Sequence, residues 1–162
     1  MAKRKIAVIG VGKIAQDQHL PVIDASDDFE LAATVSTRGI GHNGVPVFKT
    51  PGELYAAMPE IDLVSICTPP GIRHQYVREA LDAGKDVMME KPPTTTISEL
   101  DDLIDHARRL ELKGRRAAGH LAPVQGGDPR HVVFIRVANG EVHRQGPGWL
   151  ASGSVTGIAQ AF

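Results

Sequence analysis

The sequence is poor in residues that define several specialised classes of protein. Cys67 is the single cysteine among 162 residues, so the chain can form neither an internal disulfide nor a metal site built from several cysteines. Aromatic residues make up 4% of the chain, and the formal net charge is −1. We therefore expect no metal, no nucleic acid and no membrane surface among its ligands.

Long hydrophobic runs are also missing, and no segment approaches the length of a membrane span. The start, MAKRKIAVIG, is basic and then apolar, but its apolar run is too short for a signal peptide and lacks a small-residue cleavage site. A cytoplasmic location in a reducing environment is the resulting expectation. With 42% hydrophobic and 23% charged residues, the chain can bury one core of ordinary domain size.

The N-terminal two thirds alternates between apolar runs typical of buried strands and segments with helical signals. The predicted strands are 5–10, 29–36, 44–48, 62–69 and 86–92, and the predicted helices are 13–25, a segment from 50, 74–83 and 96–110. Thr50-x-x-Glu53 and Thr96-x-x-Glu99 each match a capping box. The alternation predicts an α/β fold with a doubly wound parallel sheet, Rossmann-like or flavodoxin-like.

The character of the chain changes after residue 112. The stretch KGRRAAGH (113–120) replaces the sixth strand that would follow the last helix, so we expect none there. We place one domain at 1–120 and a poorly organised tail at 121–162, with a β-hairpin over 131–144 about Asn139-Gly140.

The first predicted strand leads into Gly10-Val11-Gly12-Lys13-Ile14-Ala15, which matches G-x-G-x-x-A. The first glycine permits a sharp turn, and the second lets the backbone approach a pyrophosphate at the following helix N-terminus. Because a strand precedes the motif and a helix follows it, the motif predicts a dinucleotide site.

The second predicted strand ends in Ser36-Thr37-Arg38, where NAD-binding proteins carry an acidic residue. Two hydroxyls and a guanidinium suit a 2′-phosphate. This favours NADP over NAD, or use of both, and the alternative is a solvated loop arginine.

Three stretches, GVGKIAQDQHLP (10–21), TPPGIRH (68–74) and AGKDVMMEKPP (83–93), resemble the Gfo/Idh/MocA oxidoreductases over about residues 4–112. The resemblance is greatest to members that oxidise C1 of aldoses such as D-galactose or L-arabinose. It implies an NAD(P)-dependent sugar dehydrogenase with a small-molecule aldose substrate. It is also compatible with a homo-oligomer of the full-length form.

The resemblance also implies roles for individual residues. Gly10, Gly12, Lys13 and Ile14 would line the pyrophosphate, and Ser36, Thr37 and Arg38 the adenosine ribose and its phosphate. Cys67, Thr68, Pro69 and Pro70 would lie beside the nicotinamide, with His74 just beyond. Glu90 and Lys91 would lie at the nicotinamide ribose, the Lys91-Pro92 bond would be cis, and Lys91 would be the catalytic residue at the reacting hydroxyl. The alternative for Lys91 is an ordinary lysine at a strand end.

Other conspicuous residues have plainer interpretations. We expect His19 to make a structural hydrogen bond and Cys67 to be small and buried. The cluster Asp101-Asp102-Asp105 is typical of a solvated helix face, and His42 has no metal-ligand partner at useful spacing.

The sugar dehydrogenases of this family carry an F-D-x-G-x-N-like element in a second domain, and this sequence contains none. We therefore hypothesise a truncated or frame-shifted copy of a longer dehydrogenase. The two open alternatives are an enzyme whose turnover needs the second domain and a remnant that binds nucleotide without catalysis.

Overall fold

The computed structural model describes residues 3–112, 119–122 and 133–137, with side chains from 3 to 110. Its strands are β1 (Arg4–Ile9), β2 (Phe29–Val35), β3 (Val47–Phe48), β4 (Leu63–Ile66), β5 (Asp86–Met89), β6 (Gly119–Ala122) and β7 (Val133–Val137). Its helices are a π-helical turn (Ala15–His19), α1 (Leu20–Asp24), α2 (Pro51–Ala57), α3 (Pro70–Asp82) and α4 (Ile97–Leu112).

The strands form one sheet in the order β3-β2-β1-β4-β5-β7-β6. The first five are mutually parallel, which confirms the predicted Rossmann-like α/β fold. The order reverses direction between β1 and β4, which are neighbours in the sheet. Crevices at such a reversal are where open α/β sheets bind ligands.

Both faces of the sheet are buried, as the apolar strands predict. Alternate residues of β1 point into two different cores: Ile6 and Val8 into one, Ala7 and Ile9 into the other. The first core packs against the π-helical turn and α1, and the second against α2, α3 and α4. All four β1 residues are fully buried.

The capping box predicted at Thr96 forms in full, and the one predicted at Thr50 forms in part. The Thr50 hydroxyl accepts a hydrogen bond from Glu53 N–H at 3.3 Å, and that of Thr96 accepts from Glu99 N–H at 3.2 Å. The Glu99 carboxylate accepts in return from Thr96 N–H, whereas that of Glu53 accepts from Lys49 N–H, one residue before the cap. Side-chain acceptors thus fix where α2 and α4 begin.

Two helices differ from their predicted form. The first contains a π-helical turn, closed by a hydrogen bond from Leu20 N–H to the carbonyl of Ala15. Pro21, which has no N–H, follows directly, so the helix restarts at this point as α1. α3 begins at Pro70, four residues before the predicted 74, because a proline at the first helical position needs no partner for its nitrogen.

The expectation of no strand over 113–120 is wrong at the end of that stretch, because β6 begins at Gly119. β7 falls within the hairpin predicted over 131–144. β7 pairs antiparallel with β5, and β6 pairs antiparallel with β7. β7 supplies hydrogen-bond partners for the backbone N–H and C=O groups along the outer edge of β5, since buried backbone groups need such partners. The turn predicted at Asn139-Gly140 lies outside the described residues, and the boundary between 1–120 and 121–162 stays a prediction. Within the described ranges no helix is long and apolar enough to cross a membrane.

Candidate dinucleotide site

The predicted site segments meet at one edge of the sheet because each follows a parallel strand. Backbone hydrogen bonds tie these strand ends together: Gly10 N–H donates to Val35, Cys67 N–H to Ile9 and Glu90 N–H to Ile66, at 2.9, 2.8 and 3.2 Å. The residues after β1, β2, β4 and β5 therefore form one continuous rim. Carboxyl ends of strands at a reversal of strand order form the usual ligand crevice of this architecture.

Gly10 stands where the backbones of two strand ends touch. Its φ is +90°, and a Cβ there would lie 2.7 Å from Cγ2 of Thr68 and 3.0 Å from its nitrogen. Both the left-handed conformation and the close approach exclude a side chain. The first glycine of the motif thus serves the contact between β1 and β4.

Gly12 has a different environment. A Cβ added there would meet nothing within 4 Å among the described atoms, so the backbone borders open space at the start of the helix. Lys13 is exposed, and its ammonium pairs with Asp17 one turn along. Ile14 is half-buried against the core beneath. A diphosphate could therefore approach the main chain at Gly12 without displacing a side chain.

The loop after β2 is held by Ser36. Its buried hydroxyl accepts from Ile40 N–H at 3.2 Å, and its carbonyl accepts from Gly39 N–H at 3.0 Å. This turn leaves Thr37 and Arg38 exposed. Among the described residues, the Arg38 guanidinium has no hydrogen-bond or ion-pair partner.

At the end of β4, Cys67 and Thr68 are buried and Pro69 and Pro70 lead into α3. The Thr68 hydroxyl oxygen is buried with no hydrogen-bond partner among the described atoms. Burial raises the pKa of the Cys67 thiol to about 12. Cys67 is thus a protonated, buried residue, in keeping with the prediction.

Four polar side chains connect β4 to the end of β5. The Cys67 sulfur lies 3.5 Å from Oγ of Ser65, which lies 2.9 Å from Nδ1 of the fully buried His19. Nε2 of His19 lies 2.7 Å from Oε1 of Glu90. Since a carboxylate only accepts, Nε2–H is the donor, and Nδ1 can accept from Ser65. His19 therefore makes the structural hydrogen bonds that the sequence analysis expects.

Glu90 and Lys91 begin the loop after β5. The second oxygen of Glu90 accepts from Lys91 N–H at 3.2 Å. The hydrogen bond from His19 is the main cause that lowers the pKa of Glu90, and burial opposes it. Lys91 is exposed, its ammonium has no partner among the described side chains, and its peptide bond to Pro92 is cis.

Arg73, which the sequence analysis does not single out, joins two of these loops. The residue is 2% exposed, and its guanidinium donates to the carbonyls of Thr68, Glu90 and Pro92. Burial lowers its pKa, while the nearby Glu90 carboxylate raises it. A buried arginine that donates to carbonyls of both loops holds the ends of β4 and β5 in one geometry.

His74 contacts α4. Its Nε2 is 2.8 Å from a carboxylate oxygen of Asp102 on α4, and Arg78 pairs with the same oxygen. Asp102 therefore joins α3 to α4 and is not merely part of a solvated face. His42 pairs with Asp24 at 2.6 Å. In the described part of the chain no three His, Cys, Asp or Glu side chains are placed to hold a metal ion.

These features together define a dinucleotide-binding α/β domain. The sequence profile of the Gfo/Idh/MocA oxidoreductase family, NAD-binding Rossmann fold, matches residues 4–115. The chain belongs to this family and carries its NAD-binding Rossmann domain, as the resemblance implied.

Individual relatives agree with this assignment. Galactose 1-dehydrogenase of Pseudomonas fluorescens is 44% identical over 95 residues, 59% of this chain and 31% of that protein. D-galactose-1-dehydrogenase from Rhizobium etli is 41% identical in sequence to this chain, and its crystal structure matches the fold with a TM-score of 0.65. The match covers 76% of this chain and 40% of that one.

A third relative carries the cofactor in its structure. KijD10, a 3-ketoreductase from Actinomadura kijaniata in complex with NADP and TDP-benzene, is 29% identical with a TM-score of 0.58, over 67% of this chain and 35% of that one. The chain thus spans about a third of the length of the curated relatives it matches. The family includes enzymes with different substrates.

Proposed function

We propose that this chain binds NADP and serves an oxidoreductase that oxidises C1 of an aldose such as D-galactose or L-arabinose. The observation that carries the proposal is the shared rim at which Gly12, Arg38 and Lys91 follow β1, β2 and β5. The 44% identity to a galactose 1-dehydrogenase supports the choice of substrate. Residues 1–120 would bind the cofactor.

The described residues fit a dinucleotide. Open space over Gly12 would let a diphosphate approach the main chain at a helix start. The Thr68 hydroxyl, buried without a partner at the β1–β4 crevice, offers a polar group to a bound molecule. The unpaired guanidinium of Arg38 suits the 2′-phosphate. NADP, when bound, supplies the hydride acceptor.

The protein would handle the proton. Oxidation at C1 of an aldose removes a hydride from the carbon and a proton from its hydroxyl group. The exposed Lys91 ammonium is unpaired within the described region, and Glu90 holds the Lys91 backbone. Lys91 would polarise the hydroxyl oxygen and take up its proton when deprotonated.

A titration with NADPH and NADH, read by cofactor fluorescence, tests the binding half of the proposal. We expect the chain to bind NADPH more tightly than NADH, and we expect Arg38→Ala to reduce that preference. Failure to bind either dinucleotide would overturn the proposal.

The chemical half needs an assay of NADPH formation with D-galactose and L-arabinose. Turnover that Lys91→Met abolishes, with NADP affinity retained, would support the enzyme. A second candidate is a dinucleotide-binding module without turnover of its own, which the match of residues 4–115 to an NAD-binding domain supports. Binding without NADPH formation from either sugar would support this second candidate.

A further inference from the structure

We propose that Lys49 is a second cation for the 2′-phosphate of NADP and, with Arg38, determines the preference for NADP over NAD. This inference rests on the proposed function, because it concerns one end of the same cofactor site. Lys49 lies outside the motifs that the sequence analysis used.

The pairing of β2 with β3 brings Lys49 to the loop that carries Arg38. Thr34 and Val35 pair with Val47 and Phe48, and Ser36 N–H continues the ladder by donating to the Phe48 carbonyl at 2.9 Å. Lys49, the next residue after β3, therefore lies alongside the first residues of the loop.

The Lys49 ammonium lies against this loop. Nζ is 3.4 Å from the carbonyl oxygen of Thr37 and 3.9 Å from the position that a Cβ of Gly39 would take. These two contacts lie on either side of Arg38 in the chain. An ammonium has three donors, so one bond to Thr37 leaves donors for a phosphate beside the Arg38 side chain.

Within the described residues, no carboxylate forms an ion pair with either of these two cations. The sequence contains no Asp or Glu between Glu30 and Glu53, and neither Arg38 nor Lys49 forms an ion pair with a described side chain. Glu53 is the nearest acid along the chain, and one of its carboxylate oxygens accepts from the Lys49 backbone N–H. The loop thus offers two positive charges without an ion-pair partner among the described side chains. These charges suit a phosphate dianion, and NAD carries no 2′-phosphate to bind them.

The test compares ligands that differ only in the 2′-phosphate. NADP and NAD form one pair, and adenosine 2′,5′-bisphosphate and AMP form a smaller pair that contains the adenosine end alone. Isothermal titration of Lys49→Met, Lys49→Arg and wild type would give the dissociation constants. We expect Lys49→Met to weaken NADP and the bisphosphate about tenfold, the size of one charge-assisted contact. NAD and AMP should change less than about twofold, and Lys49→Arg should retain most of the preference.

Lys3→Met is the matched control. Lys3 is also exposed, and its ammonium also donates to a backbone carbonyl, that of Ser26 at 2.7 Å, but it precedes β1 at the opposite edge of the sheet. We expect this variant to bind all four ligands as wild type does. Raising the salt concentration should weaken NADP binding less in Lys49→Met than in wild type.

Two results would overturn the inference while leaving the proposed function intact. One is a ratio of NADP to NAD affinity that is unchanged in Lys49→Met. The other is an equal fall in the affinities for NADP and NAD in Lys49→Met, with neither affinity restored in Lys49→Arg. Wild-type protein that binds neither dinucleotide would instead overturn the proposed function, and this inference with it.

Discussion

Nε2 of His19 lies 2.7 Å from Oε1 of Glu90, which links the helical segment after β1 to the first residue after β5. The other carboxylate oxygen of Glu90 accepts from Lys91 N–H, and Ser65 lies against Nδ1 of His19. A buried histidine, itself fixed in one tautomer, therefore positions the E-K-P segment through its hydrogen bond to Glu90.

Replacing His19 tests the strength of this link. His19→Leu removes two hydrogen bonds and leaves Ser65 and Glu90 without that partner, so we expect a loss of about 2 kcal/mol in the free energy of unfolding. Urea denaturation measures it. The control is His42→Leu, which breaks a more exposed pair with Asp24 and should cost less than about 1 kcal/mol. Equal losses in the two variants would contradict the structural role of His19.

The Glu90 carboxylate should make stability depend on pH. Its pKa in the folded protein is lowered, chiefly by the hydrogen bond from His19. The ionised form therefore stabilises the fold above the ordinary pKa of a glutamate, and this contribution is lost as pH falls through the lowered value. We expect wild type to exceed Glu90→Gln in unfolding free energy near neutral pH, with the difference shrinking in acid. A constant difference across the pH range would argue against this origin.

Alanine substitution of the two glycines of the motif should affect different properties, stability at Gly10 and cofactor binding at Gly12. Gly10→Ala places a Cβ 2.7 Å from Cγ2 of Thr68 at a φ of +90°, so we expect a loss of about 2–3 kcal/mol in stability. Gly12→Ala meets no neighbour within 4 Å and should leave the melting temperature nearly unchanged while weakening NADPH binding. Thermal denaturation and fluorescence titration separate the two effects. If Gly12→Ala retained full NADPH affinity, the placement of the diphosphate at Gly12 would be wrong.

Arg73 should affect the nicotinamide half of the site more than the adenosine half. Arg73→Met leaves three carbonyl groups without their donor, and we expect it to lower stability by about 3 kcal/mol. Arg73→Lys keeps the charge but cannot reach all three carbonyls at once. We expect this variant to weaken NADPH binding and to leave adenosine 2′,5′-bisphosphate binding unchanged. Equal weakening of both ligands would indicate a general loss of structure.

Much of the fold is readable from the sequence because its signals are local. The apolar runs of β1 and β4 specify strands buried on both faces, and Thr50 and Thr96 mark where α2 and α4 begin. The G-x-G turn and the E-K-P segment also place the candidate site at strand ends. The strand β7 lies within the hairpin predicted over 131–144, but β6 and the pairing of β7 with β5 escape prediction, because a short strand acquires its partner only from tertiary contacts.

By itself, the sequence determined the α/β alternation, the family and the segments that line the crevice, since each depends on neighbouring residues in the chain. Only the tertiary structure decided which distant groups meet there: His19 with Glu90, Arg73 with three carbonyls, and Lys49 with the loop of Arg38. These contacts join residues far apart along the chain. Their geometry follows from strand order and register, which no short stretch of sequence encodes.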